Sequence, residues 1–355
     1  MKNVAIITDV DFWEQGSGHR ARIAALADYL SVHVNLYILY VGKNDSRYEL
    51  LKTHQLAHRI FCIPTFETFS ATTFRNRVHA FFYLVRFDVC IIEWIHNSFF
   101  LHLIPYRVTA ILDTHDIAHR REESFQAFKT RTSHMSQPDE YALYHQYDYV
   151  ALICDDDFED VKSGMREDRL ILLPHSPVFR KRTIREEVRT IGFIGSDYAP
   201  NEDALRHFLD TVWGRFEDNP RVSLHVYGKV VRGMRGKYTN VQKVGYVPDL
   251  DTIYDEMDIS VNMVRFGAGA KIKNIEALAN AIPLVTSSHG ARGLEKGIGD
   301  ALKVADAPHL FALELERLIG DFQYRKDTSD AGYAFARNFF SPEVCYTPLV
   351  TVINN

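Results

Sequence analysis

The chain has 355 residues, of which 46% are hydrophobic and 25% charged, enough for two ordinary domains of roughly 100–200 residues each. A formal net charge of -5 argues against a nucleic-acid-binding surface spread over the molecule. The four cysteines, Cys62, Cys90, Cys154 and Cys345, lie far apart with no C-x-x-C spacing, which argues against a disulfide scaffold or zinc site and for a reducing compartment.

Short apolar runs alternate with helical patterns from the start. Val4–Ile7 reads as a buried strand, too short for the core of a signal peptide, and the loop Gly16-Ser17-Gly18 follows it. Arg20–Leu30 then carries Ile23, Leu26, Ala27 and Leu30 at helical spacing. Val32–Val41, Arg59–Ile63, Val89–Ile92, Ala110–Leu112 and Tyr149–Cys154 are the next strand candidates. Between them Thr73–Phe87 is basic and aromatic: either a helix packed into the core, or one lying at a membrane surface. No apolar run reaches the roughly 20 residues of a membrane span. A cytoplasmic chain is expected, with peripheral contact to the inner face of the membrane through residues 73–87 as the alternative.

At Pro174-His175-Ser176-Pro177 the texture changes, and the charged stretch from Arg180 to Glu187 reads as a linker. A second series follows: Thr190–Ile194, Ser223–Tyr227, Gln242–Val244, Ile259–Met263 and Leu284–Thr286 as strands, with a helix over Ala204–Trp213 after Pro200-Asn201. The tail from Ala331 to Asn355 is helical in part, interrupted at Phe339-Phe340-Ser341-Pro342. Strand–helix alternation predicts an α/β chain with two Rossmann-like, doubly wound domains, at 1–178 and 188–334, the tail from about 335 to 355 returning to the first. Ligands of such sheets bind beyond the C-terminal strand ends, which puts the site in the cleft between the domains.

The most informative stretch runs from Phe266 to Ala279. Gly267 and Gly269 form a glycine-rich loop, Lys271 and Lys273 follow, and Glu276 closes the set. Loop glycines let backbone N–H groups approach a ligand, and free N–H groups at a helix start attract anions. On a helix Gly269, Lys273 and Glu276 sit at i, i+4 and i+7 and so share one face. Backbone donors, a cation and a carboxylate in that order suit a nucleotide diphosphate. The other reading is a glycine turn before an amphipathic helix with solvated lysines.

These residues resemble the nucleotide-sugar-dependent glycosyltransferases of the GT-B fold, family 4 (glycosyl transferases group 1). The resemblance rests on Gly267-x-Gly269-x-Lys271-x-Lys273-x-x-Glu276 with Pro283-Leu-Val and Gly290-x-x-Gly293-Leu, on Ile191-Gly192-Phe193-Ile194-Gly195 with Pro200-Asn201, on Gly245-Tyr246-Val247 with Tyr254 and Asp258, and on Asp113-Thr114-His115-Asp116. It is strongest from about 190 to 310. It implies a retaining, metal-independent hexosyltransferase-type enzyme of polysaccharide or glycoconjugate synthesis, with a nucleotide-diphosphate sugar as co-substrate, no cofactor, and a glycan, lipid-linked or protein acceptor. By the same resemblance Glu276 would hold the donor ribose, and Lys273 and Lys271 would face the pyrophosphate beside Gly267 and Gly269. Backbone at Tyr246 and Val247 would meet the base, with Gly195 beside them in the donor site. The chain departs from the family pattern in having Ala268 where a second glutamate is usual, and Ser196 and Asn201 in place of a basic pair.

In the first domain Gly16, Gly18 and Arg20 are candidates for the cleft, against an ordinary turn with a solvated arginine. His115 is a candidate for contact with the sugar or acceptor, with Asp116 orienting it, against a helix-capping pair. With Lys273 and Glu276, His115 completes the expected catalytic group. Trp94, Ile95 and His96 line an acceptor pocket or pack. Asp155-Asp156-Asp157 open a helix, the reading preferred to a divalent-metal site. Rival functions are a nucleotide-sugar-binding protein without catalysis, suggested by Ala268, and a GT-B nucleotide-sugar epimerase. A dinucleotide oxidoreductase fits poorly, because Gly16-Ser17-Gly18 lacks the third glycine and a clear acidic partner.

Overall fold

The computed structural model describes residues 1–14, 16–42, 59–64, 70–130 and 135–355. Its first sheet is parallel throughout, in the order β3-β2-β1-β4-β5-β6-β7. The strands are β1 (Asn3–Thr8), β2 (Asn35–Gly42), β3 (Ile60–Pro64), β4 (Val89–Glu93), β5 (Thr109–Asp113), β6 (Tyr149–Leu152) and β7 (Leu170–Leu172). The second sheet is also parallel, in the order β10-β9-β8-β11-β12-β13. It comprises β8 (Thr190–Ile194), β9 (Ser223–Tyr227), β10 (Val241–Gly245), β11 (Ile259–Asn262), β12 (Leu284–Thr286) and β13 (Lys303–Val304). Helices cover both faces, so central strands such as Val4–Ile7 and Val89–Ile92 are buried and read as continuous apolar runs. The strand order reverses between β1 and β4 in one sheet and between β8 and β11 in the other, and a crevice opens at such switch points.

Several element boundaries differ from the sequence reading. Helix α1 (Gly18–His33) absorbs Val32, so the second strand starts at Asn35. The helix expected over Ala204–Trp213 is Ala199–Thr211, with Tyr198 as its N-cap; Pro200 sits inside the first turn, where a missing N–H costs nothing, and Trp213 falls in a 3-10 turn. The helix of the glycine-rich segment runs only from Ile272 to Ala279, with Lys271 as N-cap. Gly269 therefore does not share a helical face with Lys273 and Glu276; its φ of +65° places it in the loop. Strands β7 and β13, of 3 and 2 residues, are too short to show a pattern.

Helix α2 (Ala71–Leu84) carries most of the basic aromatic stretch. Phe74, Val78, Phe81 and Phe82 are buried in the first-domain core. Arg75, Arg77 and His79 point to solvent, and Tyr83 and Leu84 are exposed at the helix end. Among the described residues no helix is long and apolar enough to cross a membrane. Among the described residues the first domain also has helices α3 (Ala118–Ala127), α4 (Gln137–Tyr144) and α5 (Asp155–Lys162). Those of the second are α6 (Ala199–Thr211), α7 (Leu250–Glu256), α8 (Ile272–Ala279), α9 (Pro308–Gly320) and α10 (Phe322–Phe340).

The linker is held by salt bridges along the second domain: Arg182 to Asp251 and Asp255, and Arg185 to Asp258. Helix α11 (Pro342–Asn354) packs on α1. Tyr346 lies 5.2 Å from Tyr29 between ring centroids, and its hydroxyl accepts from the Ser176 N–H at 3.1 Å. Leu349 and Ile353 join Leu26 and Leu30 in one core.

Candidate active site

Helix α8 is anchored where β11 and β12 end. Asn274 is buried; its Oδ1 accepts from Asn262 at 2.9 Å and its Nδ2 donates to the Gly290 carbonyl at 2.8 Å. That anchor presents Lys273 and Glu276 on one side of the helix. Lys273 Nζ donates to the Ile194 carbonyl at 3.0 Å and to Asn201 Oδ1 at 2.7 Å. Glu276 Oε2 accepts from the Tyr254 hydroxyl at 3.3 Å. Lys271 turns back into the loop, donating to the carbonyls of Gly269 at 2.7 Å and Ala268 at 3.1 Å; it braces the loop from within.

All three groups are partly buried, and the electrostatics follow from that. Desolvation holds Lys273 down at about 7, with the Lys271 charge adding to it. Burial, then the Arg292 guanidinium, lowers Lys271 to about 8. Burial pushes Glu276 up to about 7, countered by the Tyr254 hydrogen bond. An anionic ligand relieves the two desolvated lysines, and hydroxyl donors relieve the desolvated carboxyl. His289, also lowered to about 4 by burial and by Lys271 and Arg292, and Arg292 are two neighbours that the sequence reading did not single out.

The first domain closes against this helix through glycines. At Gly269 a Cβ would lie 2.9 Å from the His115 carbonyl oxygen and 3.1 Å from Asp116 Cβ. At Gly16 (φ +102°) it would lie 2.7 Å from the Tyr246 ring, and at Gly18 3.1 Å from Ile272. The Gly267 N–H donates to Ser124 Oγ of α3 at 2.8 Å, and Phe266 stacks on Phe128 at 4.4 Å. Gly16, Gly18, His115, Asp116, Tyr246, Gly267 and Gly269 are thus brought together across one cleft. Gly195 stands at the end of β8 beside Asn201 and Val230. Val247 is partly buried against the cluster of Tyr227, Ile253 and Tyr254. Arg20 pairs with Asp11 of its own domain at 2.6 Å.

One expectation is corrected. Asp116 does not orient His115: its two oxygens accept from Arg121 at 2.6 and 2.8 Å. The partner of His115 is Glu93, with Nε2 and Oε2 2.5 Å apart. Trp94 stacks flat on His115, 4.6 Å between centroids at 3°. Both residues have left-handed backbone, φ 69° and 60°, which costs of order 1–3 kcal/mol each at a non-glycine residue and is found where geometry is imposed by function. Glu93 carried a sequence signal, a lone charge ending an apolar strand. The helix after His115 is capped instead by Glu140, which accepts from the Ala118 and His119 N–H groups at 2.7 Å each.

Asp155, Asp156 and Asp157 occupy the first turn of α5 and face cations of the second domain: Lys296 at 2.6 Å, and Arg292 at 3.6 and 3.4 Å. Among the described residues, three metal-type ligand atoms come within 4.8 Å of one another at Glu93, Asp113 and His115. Arg22 already donates to both oxygens of Asp113, at 2.7 and 2.9 Å, so a fixed cation fills that role there.

Residues 188–321 match the family model described as glycosyl transferases group 1. Three solved structures share the architecture over the whole chain. TarM of S. aureus, in complex with fondaparinux, alpha-GlcNAc-glycerol and UDP, aligns with TM-score 0.76 at 10% identity, covering 100% of both chains. The pneumococcal O-GlcNAc transferase GtfA, in complex with UDP and GlcNAc, aligns with TM-score 0.75 at 10% identity, covering 100% of this chain and 99% of that one. HepE of Anabaena, in complex with UDP and glucose, aligns with TM-score 0.72 at 12% identity over 100% of both. The fold is GT-B, and the second domain is similar to the glycosyl transferases group 1 over residues 188–321. A curated relative, an uncharacterized 44.6 kDa protein in the cps region of Klebsiella pneumoniae, is 26% identical over 166 residues. That match spans 43% of each protein, less than half of the relative's length. In GT-B terms, the Gly267–Glu276 segment lies at the second domain's strand ends and faces His115 of the first.

Proposed function

We propose that this protein is a glycosyltransferase that moves a hexose, with retention of anomeric configuration, from a nucleoside diphosphate sugar to a hydroxyl of a glycan, lipid-linked or protein acceptor. The observation that carries the reading is the pairing of partly buried Lys273 and Glu276 behind the Gly267–Gly269 loop. The complexes of the structural neighbours with UDP support it. Glu276 would take the ribose hydroxyls, exchanging its Tyr254 partner for them. Lys273 and the loop N–H groups would meet the diphosphate, and fixed donors aimed at charge that develops on the leaving group lower the barrier. With Lys271 and Arg292 nearby, the charge needed comes from side chains and no metal is required.

Incubation with a panel of nucleotide sugars, followed by analysis of sugar and nucleotide products, tests the reading. Transfer to an added acceptor with retention is expected. An epimerase would interconvert the donor sugar with no acceptor present, and a binding protein would leave every donor intact; either outcome overturns the proposal. Glu276→Ala removes a hydrogen-bond partner that is charged when bound, worth about 1.5–3 kcal/mol. Nucleoside diphosphate affinity should then fall roughly 10- to 150-fold, read by calorimetry; an unchanged affinity would place the ribose elsewhere.

The lowered lysines predict a proton linkage. At pH 8 Lys273, with its value near 7, is mostly neutral in the free protein. A bound diphosphate favours its charged form, so binding takes up protons, while Glu276, also near 7, is already mostly ionised and releases few. Titrations at pH 8 in buffers of different ionisation enthalpy should therefore show net uptake. Zero or net release would mean that the lysines do not meet the diphosphate.

A further inference from the structure

The C-terminal ends of β4 and β5 hold buried charges that the donor grip does not use. Glu93 and Asp113 face each other as register partners, and both are completely buried. Asp113 is neutralised by Arg22. Glu93 has no such cation: its Oε2 meets His115 Nε2 at 2.5 Å, and its Oε1 has no hydrogen-bond partner among the described residues. An ionised carboxylate with an orphan oxygen is costly in such a place, whereas a carboxyl sharing one proton with an imidazole carries no net charge. The Trp94 ring, laid flat on the imidazole, holds that ring against Glu93.

We propose that Glu93 and His115 form one proton-sharing pair, in which Glu93 is a positioning residue that fixes the tautomer with which His115 meets the sugar. What His115 meets rests on the transferase reading; the pairing does not. In the arrangement favoured here the carboxyl keeps the proton, its O–H donates to Nε2, and the imidazole carries its own proton on Nδ1. His115 is then a neutral hydrogen-bond donor rather than a base. The surroundings push the same way: burial and Asp113 raise Glu93 well above the usual carboxylate range, and burial lowers His115 to about 4. The other ionisable groups bearing on the pair are Arg22 from α1, Asp9 after β1, and Asp116, His19 and His96 around the ring. Asp9 is held by His96 and Asn97, and Asp116 by Arg121.

The test is nitrogen NMR of the full chain labelled at histidine, with His115 assigned by its loss in His115→Gln. Wild type should show a neutral Nδ1–H imidazole unchanged from pH 5 to 8. Glu93→Gln should preserve it, since the amide N–H donates to Nε2 in place of the carboxyl. Glu93→Ala should let His115 lose its tautomer preference and titrate within that window. Transfer should follow: kcat within about 3-fold in Glu93→Gln, and roughly 10- to 100-fold lower in Glu93→Ala, with KM for the donor unchanged. An Nε2–H tautomer or a His115 titrating near pH 6.5 in wild type overturns the proposal, as does a wild-type imidazole in Glu93→Ala. If Glu93→Ala does not fold, wild type and Glu93→Gln still decide. Nucleoside diphosphate binding, read separately by calorimetry, reports on the transferase reading: its absence in wild type would sink that reading and leave the NMR result standing.

Discussion

Replacing Lys273 with methionine is expected to lower kcat for sugar transfer by roughly 10²–10³-fold, the effect of removing one group aimed at developing charge. Methionine keeps the length of the side chain and its apolar contact with the helix. Folding stability should not fall by more than about 1 kcal/mol, because the lost hydrogen bonds to Ile194 and Asn201 are offset by removing a desolvated cation. The sign of the linkage agrees. Lys273 titrates near 7 when folded and at its ordinary 10.5 when unfolded. Between those values the unfolded state binds more protons, so stability rises with pH from about 7 to 10.5, and this rise should be smaller in the variant. A variant with unchanged kcat would mean that Lys273 does not face the leaving group. Loss of folding would make it structural.

The second large effect is on stability. Arg22 is fully buried, donates to both oxygens of Asp113 and also to the Leu173 carbonyl at 2.7 Å. Arg22→Met leaves a buried carboxylate uncompensated, which costs about 3–5 kcal/mol. For a domain of this size the first-domain melting transition should drop by roughly 6–20 °C. Arg22→Met with Asp113→Leu should recover much of that loss, since an apolar pair can replace a buried ion pair. Scanning calorimetry of the three proteins checks this. A single variant melting within 2 °C of wild type would mean that water or another cation serves Asp113.

The sheets and the glycine–lysine–glutamate segment were legible in the sequence because their signals are local. Strands buried on both faces, such as Val4–Ile7 and Val89–Ile92, stand out as unbroken apolar runs. The spacing from Lys273 to Glu276 holds in any helix that contains both. What was not legible depends on register or on the closure of the domains. Glu93 meets His115 only because β4 and β5 pair Glu93 with Asp113, and nothing near Glu93 in the chain announces that. The approach of Gly16 to Tyr246 and of Gly269 to His115 depends on how two domains face each other, which no local pattern encodes. Gly269 was misplaced on the helix because its left-handed backbone lets the loop run two residues further than the periodicity implied.

Calorimetric titration of UDP, GDP, ADP, CDP and dTDP into the wild-type chain, repeated with Glu276→Ala, tests the donor site most directly. At least one diphosphate should bind at one site per chain, and Glu276→Ala should weaken it at least roughly tenfold. No binding by any of the five, or binding that Glu276→Ala leaves unchanged, would mean that this crevice is not a donor site.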